Sequence, residues 1–306
     1  MIALRRLATG LVILLGVSVL TFTLAFVVPS DPARTVAGPK ADKETLDLIR
    51  REMGLDQPLP VQLGRYLGRL LRGDFGRSYV TRQDVRAAIL ERLPATISLA
   101  VSSLVLAIVL GLAAGVFTAL RAGATIDLTV MGVSLVILSF PVFWLGLLLL
   151  DVVAYRLRWL PLGGYGGLRS VILPACALGL GHAAYYGRVL HAGMREVLSQ
   201  DYIRTARAKG LGPLATYAHH ALRNALIPLT TLVGLDFAGL MGGVVLTETV
   251  FNWPGLGRLA VDAVFNQDIP LIMGTVQFGA VLVVAVNLAL DLVYRLIDPR
   301  IRYHAP

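Results

Sequence analysis

The sequence predicts an all-α integral membrane protein with about six transmembrane helices. Of its 306 residues, 56% are hydrophobic and 15% are charged, against roughly 45–50% and about 25% in a typical soluble domain. A soluble fold cannot bury that much apolar surface, whereas a bilayer accommodates it. The apolar residues also fall into separate runs, each meeting or approaching the roughly 20 residues that cross about 30 Å of hydrocarbon.

The first apolar run follows two arginines and extends from Leu7 to Val28, directly before Pro29. It is too long for the hydrophobic part of a secretory signal, and no small-residue cleavage site follows it, so we expect a retained helix. The fourth run is the weakest, because two glycines and His182 interrupt it. The five runs after the first lie near Ala95–Leu120, Leu128–Tyr155, Val171–Val189, Ile227–Val250 and Leu271–Leu296.

The basic residues predict the orientation of the helices. Six crossings that start from a cytoplasmic N-terminus leave only Arg156, Arg158, Arg169 and Arg258 in the short external loops. A larger basic set then falls on the cytoplasmic side, as the positive-inside rule requires, and both termini are cytoplasmic. This set consists of Arg5, Arg6, Arg121, Arg188, Arg195, Arg204, Arg207, Lys209, Arg223, Arg295, Arg300 and Arg302.

A long polar segment separates the first two runs, and we expect it to be external and folded. A helix is predicted from Asp42 to Met53, ending before Gly54, which suits a helix C-terminus. The amphipathic stretch Val61–Leu71 suits a helix on the membrane surface. A capping box opening at Thr81 predicts a third helix leading to Leu93.

The chain is therefore divided into two parts. Residues 1–93 comprise the N-terminal transmembrane helix and the external segment. Residues 94–306 form a core of five transmembrane helices, with a cytoplasmic loop at about 194–224.

This loop is the longest cytoplasmic stretch. Helices are predicted at roughly Met194–Lys209 and Leu214–Arg223, separated by a turn that contains two glycines and Pro213. Ala206, Ala208 and Gly210 would lie at its apex, where small side chains permit another protein to approach closely. From these residues alone, a docking site and a basic loop that only fixes topology remain equally open.

The loop resembles the EAA loop of membrane subunits in ABC-type importers, in the form found in the peptide/nickel branch. That branch reads close to D-Y-x-R-T-A-R-A-K-G-L. The general motif has Glu-Ala-Ala where this chain has Arg-Thr-Ala, a departure that is usual in the branch. The matching residues are Asp201, Tyr202, Arg204, Thr205, Ala206, Arg207, Ala208, Lys209, Gly210 and Leu211.

The resemblance extends over most of the chain. Further segments of the same branch occur in order, and an ordered set is far more specific than any single motif. They are G-D-x-G at 73–76, L-P-A-T at 93–96, H-x-L-R-N-A-x-x-P at 220–228, E-x-V-F-x-W-P-G-x-G at 248–257 and D-P-R-x-R at 298–302.

The resemblance implies a type I ABC importer permease-like core in the inner membrane. Such a subunit pairs with a homologous second permease, and two cytoplasmic ATPase subunits each receive one EAA loop. An extracytoplasmic solute-binding protein delivers the solute. The chain has no GxxxxGK[ST] phosphate loop, so ATP is expected to be used by the partner subunits. No catalytic residues, bound cofactor or metal site are predicted for this chain.

The resemblance leaves the solute open. Di- and oligopeptides are the first expectation, and nickel or another small solute is the alternative. A self-sufficient channel or secondary transporter is the alternative from another class; it should have internal repeats or paired broken helices, for which the sequence gives no sign. A net charge of +9 would suggest nucleic-acid binding in a soluble protein. Here, however, the basic residues lie in loops between apolar runs, as they do in membrane proteins.

Two acidic residues are candidates for the translocation path or its gate. Asp236 lies inside the fifth run, where a charge costs roughly 2.5–3.5 kcal/mol on insertion scales, so it should face a polar path or a partner. The structural alternatives are a hydrogen bond across a helix interface and a protonated acid. Glu248 lies at the outer end of this run, and both a gating and a loop-anchoring role are open.

Two further features have structural interpretations. Asp151 lies near the external end of the third run, where Arg156 or Arg158 could pair with it. Gly111 and Gly115 form a GxxxG pattern, which is typical of close helix packing in lipid.

Overall fold

The computed structural model describes residues 2–27, 32–38, 41–52, 54–212 and 215–297. These residues are mostly helical, and within them the only β pairing is an isolated bridge between Arg77 and Asp84. The helices are α1 Ile2–Val27, α2 Pro32–Ala37, α3 Lys43–Glu52, α4 Leu59–Leu71, α5 Val85–Leu120, α6 Thr125–Ser139, α7 Val142–Leu149, α8 Leu168–Leu198, α9 Asp201–Ala208, α10 Arg223–Met241, α11 Val245–Val250, α12 Leu256–Phe265 and α13 Ile269–Ile297. Two π-helical segments, Leu150–Arg156 and Thr216–Leu222, follow α7 and precede α10.

Four helical segments of the described chain are long and apolar enough to cross a membrane. They are Arg5–Ala25, Val85–Leu120, Thr216–Met241 and Ile269–Leu292. The bent pair Thr125–Ser139 and Val142–Arg156 makes a fifth if it counts as one span. The helix α8, which contains the weakest apolar run, is not among them. An all-α membrane fold is thus confirmed, while the count of six and the cytoplasmic termini stay predictions.

The continuity of the third apolar run suggested one straight helix, but the structure has a bend there. The chain bends by 102° between α6 and α7. The bend lies at Phe140, whose backbone is extended with ψ of 134°, and Pro141 follows it. A proline disfavours the helical conformation of the residue before it, which accounts for the break.

The fifth run is also interrupted, so the prediction of a continuous helix over Ile227–Val250 was wrong. The helix α10 ends at Met241, and the short helix α11 begins at Val245. Between them Gly243 has a φ of +100°, a left-handed conformation that glycine adopts without steric cost.

The helices of the predicted external segment are close to expectation. Asp42 caps α3, because its Oδ1 accepts a hydrogen bond from the Thr45 backbone N–H at 2.9 Å, and hydrogen bonds from Thr45 lower the pKa of Asp42. Gly54 has the expected positive φ of 66°; Met53 lies outside the described residues. The helix α4 covers the amphipathic stretch.

The helix after this segment differs from the prediction at both ends. Its cap is Asp84 and not Thr81, because Asp84 Oδ1 accepts the Ala87 N–H at 2.9 Å. The helix α5 then continues through Pro94 to Leu120. The predicted division between residues 93 and 94 therefore falls inside a helix.

Contacts divide the chain into two units. The first contains residues 1–96, 241–245 and 254–289. In it α1 and α13 pack antiparallel: a Cβ on Gly10 would lie 2.9 Å from Val284 Cγ1, and the Ser18 hydroxyl donates to Gln277 Oε1 at 3.0 Å. In the same unit, a cluster of buried apolar side chains around Ile89 and Leu271 packs α5 against α12 and α13.

The second unit contains residues 97–240, 246–253 and 290–306. Here α6 and α7 pack against α8, and the GxxxG pattern of α5 faces α8, which confirms its role in packing. A Cβ on Gly111 would lie 2.8 Å from Tyr186 Cβ, and one on Gly115 would lie 2.7 Å from the Gly187 carbonyl oxygen. The two helices can approach this closely only because both residues lack a side chain.

Replacing Gly115 with Val should therefore separate α5 from α8. We expect G115V to destabilise the protein by about 1–3 kcal/mol, the usual range for overpacking. G132V is the matched control, because Gly132 is in the helix α6 and a Cβ there has no neighbour within 4 Å. Thermal unfolding in detergent measures the difference, and equal midpoints for the two variants would contradict the close contact.

Candidate functional site

The loop between α8 and α10 begins with a break in the helix. The prediction of one continuous helix over Met194–Lys209 was wrong. The helix α8 ends at Leu198, and the separate helix α9 starts at Asp201. Ile203 of α9 is fully buried, so this short helix is fixed to the rest of its unit by an apolar side chain. On the return side, the segment Thr216–Leu222 continues into α10 without interruption.

The helix α9 ends in a glycine turn. The Lys209 N–H donates to the Thr205 carbonyl at 3.0 Å, and the Leu211 N–H donates to the Ala206 carbonyl at 3.2 Å. Gly210 lies between them with a φ of +88°. This six-to-one hydrogen bond around a left-handed glycine is the Schellman arrangement that ends many helices. The turn therefore has a defined shape.

The apex of this turn is open on its outer side. Ala208, Lys209, Gly210 and Leu211 are exposed. A Cβ placed on Gly210 would have no neighbour within 4 Å, so the glycine is required by backbone conformation and not by packing within this chain. An exposed turn of defined shape, with small residues at Ala208 and Gly210, is suited to contact with another protein.

Most of the other loop residues make contacts within α9, and one of them contacts the returning arm. Asp201 lies 3.5 Å from Arg204 in an exposed ion pair, which contributes little to stability, and its carbonyl accepts the Thr205 hydroxyl at 3.1 Å. Tyr202 makes the contact between arms, because its hydroxyl accepts a hydrogen bond from Asn224 Nδ2 at 3.1 Å. The side chain of Arg207 lies outside the described residues.

Asp236 of α10 lies in a polar cluster with two side chains of α8. The Tyr186 hydroxyl donates to Asp236 Oδ2 at 2.6 Å, and His182 Nε2 lies 3.8 Å from the same oxygen. The side chains of His182 and Asp236 are 26% and 30% exposed. Within this chain the carboxylate is therefore partnered but remains partly accessible.

The sequence contained a signal for this cluster that the motif search did not use. His182 and Tyr186 are four residues apart, so they lie on the same face of α8. Two polar side chains on one face of an apolar helix need a polar partner. The acid of the neighbouring span, Asp236, is the residue that supplies it.

Glu248 has a different environment. Its side chain, in α11, is fully buried. The side chains of Phe251 and Trp253, which follow α11 in the same motif, are also buried. The Glu248 backbone carbonyl accepts the Trp253 N–H at 2.7 Å, and the Phe251 carbonyl accepts the Gly164 N–H at 3.1 Å. The motif is thus fixed through its backbone, and the gating and loop-anchoring roles of Glu248 both stay predictions.

A second buried polar cluster was missed entirely by the sequence analysis. His191 Nδ1 of α8 lies 3.0 Å from the Thr118 hydroxyl and 3.5 Å from Asp127 Oδ1. Asp127 Oδ2 also accepts the Gly123 N–H at 2.9 Å. The cluster thus connects the turn between α5 and α6 to α8.

Asp151 pairs with Arg156 at 2.8 Å, as expected.

Two of the shared motifs meet through one hydrogen bond. Thr96 of the L-P-A-T segment accepts the backbone N–H of Leu256, from the W-P-G-L-G segment, at 2.8 Å. In the G-D-F-G segment Asp74 accepts the Gly76 N–H at 2.8 Å, and Phe75 packs edge-on against Phe278. These motifs therefore serve the fold. The D-P-R-x-R segment lies outside the described residues.

An all-α membrane fold with an exposed bent loop, and with a partly accessible carboxylate between two helices, is consistent with the class of membrane transport subunits. The chain belongs to the family described as "Binding-protein-dependent transport system inner membrane component", whose model matches residues 107–303. The N-terminal model of the same transport systems matches residues 1–100. The chain is thus an ABC importer permease and a multi-pass protein of the inner membrane, and its family implies ATPase and binding-protein partners.

Similar proteins support this family over the whole chain. The chain is 43% identical over 308 residues to the "Probable peptide ABC transporter permease protein y4tP" of Sinorhizobium fredii. It is 42% identical over 299 residues to the glutathione transport system permease protein GsiC of Escherichia coli. Each comparison covers 98% of this chain and 98% of the relative.

Solved structures share the fold of part of the chain. An inward-facing form of the MetNI methionine ABC transporter has a TM-score of 0.57 at 20% identity, covering 69% of this chain and 96% of that one. An amino acid ABC transporter has a TM-score of 0.54 at 16% identity, covering 69% and 94%.

Proposed function

We propose that this chain is one of two homologous permease subunits that form the translocation path of an ATP-driven peptide importer. Two ATPase subunits power it, and each receives the EAA-type loop of one permease. An extracytoplasmic binding protein delivers the peptide. The observation that carries the proposal is the exposed glycine turn at the end of α9, in a chain of this family.

The shape of the loop supports a coupling role. Ile203 and the Tyr202–Asn224 hydrogen bond hold α9 against the rest of its unit, while a Cβ on Gly210 would meet no described residue within 4 Å. A partner that binds the turn can therefore displace α9 and the start of α10 together. ATP can drive such a change only if the ATPases bind the loop differently in the two states of the path.

Peptides are the favoured solute for two reasons. Two permeases that are 43% and 42% identical to this chain are named for peptide and glutathione transport. In addition, a peptide in its common form carries an α-ammonium group, and the partly accessible Asp236 carboxylate is a suitable partner for a cation in a low-dielectric path. Nickel remains the alternative solute, since a carboxylate and a histidine also suit a divalent metal.

Reconstitution of the full importer tests this function. The chain, a second permease and two ATPases encoded beside it are placed in proteoliposomes, and the neighbouring binding protein is added with labelled peptides or with nickel. We expect ATP-dependent uptake of di- or oligopeptides and none of nickel. Uptake by this chain without ATPases would indicate a secondary transporter or channel. Uptake of nickel and not of peptides would identify nickel as the solute.

A further inference from the structure

The first unit contains a basic cavity of about 800 Å³ that the proposed function does not use. Its wall is formed by α1, by α4 with the segments before and after it, and by the start of α13. Four arginines line it, namely Arg65, Arg69, Arg72 and Arg77, and no acidic residue is among the described lining residues. None of the four forms an ion pair within the part of the chain that the structure describes. The described lining of the cavity is therefore positively charged.

A buried hydroxyl belongs to the same cavity. Tyr66 lines the cavity, is 8% exposed and stacks on Phe22 with ring centroids 5.9 Å apart. Its hydroxyl is buried without a hydrogen-bond partner in the described chain, a state that native proteins normally avoid. Burial raises the pKa of Tyr66 to about 12, although Arg69 opposes the shift. The hydroxyl therefore stays protonated and can donate a hydrogen bond to an acceptor.

Two glycines lie beside two of the guanidinium groups at the cavity wall. A Cβ on Gly54 would lie 2.8 Å from Arg65 Nη1, and one on Gly76 would lie 3.8 Å from Arg69 Nη1. Both glycines line the cavity and both have positive φ, 66° and 83°. Any larger residue at Gly54 would crowd the guanidinium group and strain the backbone.

The position of the cavity relates it to the membrane surface. Because α1 and α13 are antiparallel, Phe22 near the end of α1 lies beside Met273 in the first turns of α13. Both residues line the cavity, so it lies where two apolar spans end. The predicted orientation places these ends on the external side. Apolar residues thus adjoin the arginines, as the two parts of an amphiphile require.

We propose that this cavity is a binding site for a phosphate-bearing anion, held by its arginines and by the Tyr66 hydroxyl. Arginine is suited to phosphate because its planar fork of N–H donors matches two phosphate oxygens. The headgroup of an anionic phospholipid and a small free phosphate share this chemistry. The adjoining apolar wall favours the lipid, whose acyl chains would lie along the ends of α1 and α13. The site does not depend on the transported solute.

The test uses the full chain, purified in detergent. Phosphatidylglycerol, phosphatidylcholine, glycerol phosphate and inorganic phosphate are added separately, and binding is followed by native mass spectrometry and by the shift in unfolding temperature. We expect retention of phosphatidylglycerol, and a loss of affinity of about tenfold or more in the double variant R65Q/R69Q. R82Q/R86Q is the matched control, because it removes the same charge at exposed arginines outside the cavity.

The variant Y66F separates binding from folding. Without added anion it should unfold at the same temperature as the wild type or higher, since it loses only an unpaired buried hydroxyl. With phosphatidylglycerol it should show a smaller shift than the wild type. Equal shifts from glycerol phosphate or inorganic phosphate would support the site and assign it to a small anion. Binding of none of the four compounds, or equal weakening in R82Q/R86Q, would overturn the proposal.

Discussion

Replacing Gly210 with Val should abolish ATP-driven transport while membrane insertion persists. Gly210 has a φ of +88°, and a β-branched residue in this conformation is a steric outlier that costs about 1–2 kcal/mol. The turn would relax to another conformation, and the Leu211–Ala206 hydrogen bond that defines it would be lost. We expect uptake and co-purification of the ATPases to fall by about tenfold or more, since 1.4 kcal/mol of binding is already tenfold.

The control for this variant is G123V. Gly123 lies in the turn between α5 and α6, also has a positive φ of 84°, and a Cβ there would have no neighbour within 4 Å. The backbone strain and the added volume are thus matched, and the predicted orientation places both turns on the cytoplasmic side. An equal loss in both variants would assign the effect to general destabilisation. Unchanged uptake in G210V would remove the case for a coupling loop.

Replacing Asp236 with Asn should strongly reduce peptide uptake and leave ATPase binding intact. The substitution keeps the size of the side chain and its ability to accept from Tyr186, but it removes the negative charge that would pair with a peptide ammonium group. In a low-dielectric path a charged partner is worth more than a neutral one. We therefore expect uptake to fall by about tenfold or more, measured in the same proteoliposomes.

D151N is the matched comparison for this variant. Asp151 also belongs to an apolar run, but it pairs with Arg156 in a largely exposed salt bridge, and such pairs contribute little. Uptake in D151N should stay within about twofold of the wild type. Peptides with a blocked N-terminus provide a second comparison, because they should lose the dependence on Asp236. If D236N transports free peptides normally, the carboxylate has a structural role only.

The sequence predicted the helical membrane fold well because its signals are strong and local. Long apolar runs require helices in lipid, since every backbone polar group must be satisfied internally. The caps of α3 and the glycine turn after α9 followed from the chemistry of single residues. The packing of α5 on α8 through Gly111 and Gly115 was likewise visible, because small residues four apart mark one helix face.

The breaks within apolar runs were harder to predict. Hydropathy alone does not report that Phe140 is extended before Pro141, or that the fifth run stops at Met241, because the residues on both sides remain apolar. The site clusters were harder still. Tyr186 and Asp236 are 50 residues apart, and His191 and Thr118 are 73 residues apart. Such pairs depend on the packing of whole helices, which no local pattern specifies.

The uninterrupted passage from the segment Thr216–Leu222 into α10 has a mechanical consequence. Asp236 stands 13 residues beyond Arg223, at which α10 begins, which corresponds to about 20 Å along a helix axis. A tilt of about 10° around the Arg223 end would swing Asp236 sideways by roughly 3–4 Å over that length. The hydrogen bond to Tyr186, 2.6 Å long, would not survive such a swing. If α8 stays in place, a small rotation at the Arg223 end of α10 would therefore separate the Asp236 carboxylate from the Tyr186 hydroxyl.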